Sequence, residues 1–107
     1  MWQPFDEGKT IGQPGSEEGV ILRDDEHSLG ARITLERDAH AAPFTITCGV
    51  YGWMLHTRFF STEAEAASEY DKMKASLSDL LAPLADPAFS DRSAFIDAIA
   101  AFVESYP

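Results

Sequence analysis

At Thr62 the apolar residues of this 107-residue chain change period. Between Val20 and Phe60 they come in short runs rich in β-branched and aromatic residues: VILRD, GARITLERD, FTITCGV and WMLHTRFF. Breaks part the runs at His27-Ser28-Leu29-Gly30, at Ala39-His40-Ala41-Ala42-Pro43 and near Val50-Tyr51-Gly52. Runs of this kind read as four strands of an antiparallel meander. Alternation sets Ile33 and Leu35 against Arg32, Thr34 and Glu36, which describes a sheet buried on one face. Beyond Thr62 the spacing is helical. Ala66, Tyr70, Met73, Leu77, Leu80, Leu81 and Leu84 form one stripe, with Glu69, Lys72, Ser76 and Asp79 on the opposite side. The stripe supplies the cover that the sheet needs, so the expected class is α+β: a four-stranded antiparallel meander with two C-terminal helices, the first packed on one sheet face.

The ends of both helices are written locally. Thr62 and Glu65 form a T-x-x-E capping box, Glu63 and Glu65 lie where the helix dipole favours acids, and Pro83 with Asp86-Pro87 stops the run. The first helix is therefore expected over 62–82. A second, over 91–105 with Ser90 or Asp91 as N-cap, carries Phe95, Ile96, Ile99, Phe102, Val103 and Tyr106 on one stripe. Ala94, Ala98, Ala100 and Ala101 leave the rest of it small and uncharged, which fits a helix contact within or between chains better than a solvated face.

Length is consistent with one domain over 1–107, divided into a meander at 20–60 and a helical part at 61–107. Residues 6–19, DEGKTIGQPGSEEG, hold four of the seven glycines and four acids with only Ile11 as an anchor, and are expected to be a flexible acidic segment. Gly8-Lys9-Thr10 copies the end of a phosphate-binding loop, but Gln3 stands where the motif needs glycine and no helix can follow through Gly12-Gln13-Pro14-Gly15.

Charge and cysteine count narrow the partners. Eight basic against eighteen acidic residues give a formal charge of −10, which repels nucleic-acid backbones and anionic membranes. The absence of a leader-like start, a membrane-length apolar run, an internal disulfide or an N-glycosylation site leads to a cytoplasmic expectation. No cofactor motif is present. Asp24-Asp25-Glu26-His27 is the densest group of ligand-type residues, but it falls where the first hairpin is expected to turn, and turns collect such residues for backbone reasons. A calcium loop starting at Asp25 would put Leu29 at a ligand position, and one cysteine cannot complete a cysteine-rich zinc site. No metal site is expected.

Cys48 and His56 are the one pair that could suggest catalysis. An even-numbered loop near Tyr51-Gly52 pairs even-numbered with odd-numbered residues. Phe44, Ile46, Cys48 and Val50 then share the core face with Trp53, Leu55, Thr57 and Phe59. Thr45, Thr47, Gly49, Met54, His56, Arg58 and Phe60 point outward, and the sheet separates thiol from imidazole unless a bulge at Gly49 or Gly52 reverses the alternation. Cys48 then reads as a buried, inert residue.

No catalytic residues are assigned, and the chain is read as non-enzymatic. The expected function is a small acidic protein-interaction module, able to act as a homodimer, that presents its uncovered sheet face to a protein partner. The candidate partner-binding residues are Thr45, Thr47, Tyr51, Met54, His56, Arg58 and Phe60, apolar anchors among hydroxyls and an arginine. Two alternatives remain: a ligand binder or enzyme using the outer face around His56 and Arg58, and an acidic mimic of nucleic acid. The mimic would need carboxylates in rows at phosphate-like spacing, whereas here they are spread over loops, turns and helix surfaces.

Overall fold

The computed structural model describes all residues from Met1 to Pro107. It is an α+β architecture, with an antiparallel sheet followed by two helices. The sheet has five strands rather than four, in the order β1 (Trp2–Pro4), β2 (Val20–His27), β3 (Ala31–Arg37), β4 (Phe44–Val50) and β5 (Met54–Phe60). The additional strand, β1, pairs Trp2 with His27 and Pro4 with Asp25. Three residues ending in proline are too short to show alternation in the sequence, and the pairing depends on contacts far along the chain. Trp2 Nε1 donates to Ser78 Oγ at 2.8 Å, and the Trp2 ring meets His27 edge-on at 5.0 Å.

β2 runs through to His27, so the Asp24–His27 cluster lies within a strand and not in a turn. Alternation then separates its members: Asp24 and Glu26 face one side, Asp25 and His27 the other. A bulge between Ile21 and Arg23 shifts the register at the strand's start.

Helix α1 (Glu63–Leu81) lies across β3, β4 and β5, with α2 (Arg92–Ser105) beside it. Thr62 caps α1 by accepting from Glu65 N, and Asp91 caps α2 by accepting from Ala94 N. Ala66, Tyr70, Met73, Leu77, Leu80 and Leu81 are buried against Ala31, Ile33, Leu35, Ile46, Cys48 and Val50. Burial of each large aliphatic side chain contributes about 1.5–3 kcal/mol. From α2, Phe95 and Phe102 enter this core, whereas Ile96, expected on the same stripe, is 47% exposed.

Residues 6–19 are pinned against the other face of the sheet. Gly12 N donates to Ile21 O at 2.8 Å, Ile21 N to Gln13 O at 3.0 Å and Gly15 N to Gly19 O at 3.0 Å, forming a small hairpin. Its tip sits on the fully buried carboxylate of Glu36, which accepts from Gly19 N at 3.0 Å and from Glu17 N at 3.3 Å. A Cβ on Gly15 would stand 2.3 Å from Glu36 Cδ, so any other residue here would push the Glu36 carboxylate aside. The sequence of the segment is poor in apolar anchors because backbone amides hold it down.

Leu77 is fully buried at mid-stripe on α1. Leu77→Ala is expected to lower unfolding stability by about 2 to 5 kcal/mol in denaturant titrations. A loss under about 1 kcal/mol would place the stripe outside the core.

Candidate interaction surface on the outer face and the β5 edge

Tyr51, Gly52 and Trp53 join β4 to β5, with Gly52 at φ +81°. A connection of three residues pairs even-numbered with even-numbered positions: Val50 with Met54, Cys48 with His56, Ile46 with Arg58 and Phe44 with Phe60. The sequence-based expectation of an even loop is therefore corrected, and every β5 side chain changes face. Met54, His56, Arg58 and Phe60 point to the helices. Leu55, Thr57 and Phe59 point outward, beside Thr45, Thr47 and Gly49, which lie on the outer face as expected. Trp53 belongs to the loop, where its ring meets Phe95 at 4.8 Å.

Of the seven expected site residues, only Thr45, Thr47 and Tyr51 are thus on the outer side. Tyr51 leans over the sheet and donates to Glu26 Oε2 at 2.6 Å. Thr45 is fully buried, and the hydroxyl oxygens of both Thr45 and Thr47 are buried without a hydrogen-bond partner. His56 and Arg58 are taken up by the helical side. His56 Nε2 donates to the Tyr106 carbonyl, which requires the ring proton on that nitrogen. Arg58 donates to Glu69 Oε1 at 2.9 Å and to Pro107 O at 3.1 Å.

Cys48 and His56 are direct cross-strand neighbours, contrary to the separation expected from an even loop. The arrangement still lacks the features of a nucleophile and its base. Burial pushes the Cys48 thiol up to about 12, an effect that the nearby Arg58 charge only partly offsets. The imidazole is already committed to Tyr106. The acids of the outer face are committed as well. Asp24 is buried and accepts from Arg32 at 2.9 and 2.7 Å, from Thr10 at 2.8 Å and from Thr34 at 3.2 Å. The Phe5 ring stacks on the Arg32 guanidinium at 3.6 Å. The bidentate bond to Asp24 holds the Arg32 pKa above its ordinary value. No group of three or more His, Cys, Asp and Glu side chains is placed to hold a metal ion.

Between the pinned hairpin and the end of the sheet lies a cleft of about 740 Å³, with Thr34, Thr47, Gly49, Leu55 and Thr57 among its lining residues. On β5, Leu55 at the cleft is 78% exposed and Phe59, outside it, 55%. These two were assigned to the core from the sequence. The strand MLHTRFF is apolar at both parities, so only the loop length could have placed them outside.

Arg58 beside Glu69 holds the Glu69 carboxyl below its ordinary value of 4.5, the hydrogen bond outweighing the opposing desolvation. A carboxyl lowered in the folded state contributes stability that is complete above about 4.5 and lost as pH falls through the folded value. Glu69→Gln is therefore expected to cost about 1 kcal/mol at neutral pH, with the difference closing in acid. Chemical unfolding of both proteins across the acid range checks this, and a difference that persisted at the lowest pH would contradict it.

Comparison of this chain with protein-family models, with curated proteins and with solved structures finds no match in any of the three.

Proposed function

We propose that this protein is a small, acidic, non-catalytic interaction module whose contact surface is the outer side of β5 together with its edge. The observation that carries the reading is the exposure of Leu55 and Phe59, 78% and 55%, on a strand at the rim of the sheet. Large apolar side chains clustered on an edge strand are costly to leave in water and invite pairing with another chain. The reactive side chains nearby are closed on one another: Arg58 on Glu69, Arg32 on Asp24, His56 on the Tyr106 carbonyl. What remains open is apolar surface and backbone, the two elements from which strand-addition contacts are made.

The test uses the immobilised chain and a double variant, Leu55→Asp with Phe59→Asp. Both side chains face away from the helices, so the variant is expected to keep the wild-type circular dichroism. Wild type should retain either a protein from the source-cell extract or added soluble chain, and the variant should retain neither. Identical retention by the two would overturn the reading.

A further inference from the structure

The backbone of β5 carries more information than its side chains. Tyr51 N donates to Gly30 O at 2.9 Å and Asp38 N to Pro43 O at 2.7 Å, at opposite ends of the β3–β4 ladder. Both pairs fit its register, in which Ala31 faces Val50 and Arg37 faces Phe44. Hydrogen-bonded and non-bonded pairs alternate along an antiparallel ladder, so Gly49, Thr47 and Thr45 spend their backbone groups on β3, and Val50, Cys48, Ile46 and Phe44 turn theirs to β5. Their partners Met54, His56, Arg58 and Phe60 are satisfied by β4. The N–H and C=O groups of Leu55, Thr57 and Phe59 therefore point away from the sheet, along the free edge.

Those residues are self-complementary. If a second copy approaches antiparallel with Thr57 on a twofold axis, Leu55 of each chain faces Phe59 of the other and Thr57 faces Thr57. Every outward N–H then meets an outward C=O, and both exposed apolar side chains are covered on the same face. Each residue in this match occupies a hydrogen-bonded position, which a register shifted by one would lose.

Three further observations leave this edge open to a second copy. The opposite rim is blunted: β1 has three residues, ends at Pro4 and is followed by the turn Phe5–Gly8. β5 has seven residues without proline or lysine, and its two basic side chains are turned to the helical side. Natural sheets normally protect such an edge. Finally, the chain has a charge of −10 but no Asp or Glu between Asp38 and Glu63, so the β4–β5 hairpin is where two copies can meet without opposing carboxylates.

We infer that the protein forms a twofold dimer through β5–β5 pairing centred on Thr57, joining two five-stranded sheets into one continuous sheet. This rests on the interaction-module reading and names its partner. The test is sedimentation over a wide concentration range with two variants. Thr57→Pro deletes an N–H that β4 does not use and should weaken dimerisation about tenfold or more, with unchanged circular dichroism. Thr57→Cys should give a covalent dimer on oxidation, because facing hydrogen-bonded residues lie about 5.5 Å apart, within disulfide reach. Added sodium chloride should tighten the wild-type dimer by screening repulsion between the two acidic chains. A wild-type monomer at millimolar concentration, a dimer indifferent to Thr57→Pro, or a Thr57→Cys chain that stays monomeric on oxidation would each overturn the inference. The broader reading is separable: it survives such a result if a foreign protein is still retained in a Leu55- and Phe59-dependent way, and fails with it if nothing is.

Discussion

The number of residues between Val50 and Met54 governs the rest of this molecule. A three-residue connection, with Gly52 in the left-handed region, puts Arg58 and His56 beneath the helices and Leu55 and Phe59 outside. One residue more or fewer would exchange the two sets. The cost would be large in both directions. Arg58 would lose Glu69 and Pro107 O, His56 would lose the Tyr106 carbonyl, and the contacts that tie the chain's last residues to β5 would go with them. Phe60, now buried in the core with Tyr70, Met73 and Leu77, would be turned out to solvent together with Met54.

Beneath the opposite face a second constraint operates through buried charge. Asp24 and Glu36 would be strongly destabilising if left unpaired away from water, and the N-terminal segment supplies partners to both, joined at Asp24 by β3. Thr10 and Arg32 serve Asp24, and the amides of Glu17 and Gly19 serve Glu36. The sheet thus has a greasy cover on one side and a polar clasp on the other. The clasp stops short of β5, which leaves the outer side of that strand as the exposed apolar region of the sheet.

Much of the architecture was legible in the sequence because it is periodic. The stripe from Ala66 to Leu81 and the alternation of Ile33 and Leu35 against Thr34 and Glu36 report burial directly, and Thr62 marks the start of α1 by its chemistry. What was not legible depends on relations that no short window contains. β1 is held by a tryptophan reaching Ser78, seventy-six positions away. The segment 6–19 lacks an apolar pattern because its anchors are backbone amides received by Glu36. The side-chain assignment of β5 failed for a different reason: apolar residues at both Leu55 and Met54, and at both Phe59 and Phe60, make either face acceptable as core. Of the candidate site residues, Thr45 and Thr47 were placed correctly because β4 has a clean alternation. Met54, His56, Arg58 and Phe60 were misplaced together by the single parity step.

That step is also where the account is most directly open to measurement. In the three-residue register Thr47 faces Thr57 and Gly49 faces Leu55 as non-hydrogen-bonded pairs, whose α-carbons approach to about 4.5 Å. Nuclear Overhauser spectra of the folded protein should therefore show strong Hα–Hα contacts between Thr47 and Thr57 and between Gly49 and Leu55. Strong contacts pairing Cys48 with Leu55 or with Thr57 instead would return His56 and Arg58 to the outer face and contradict the account.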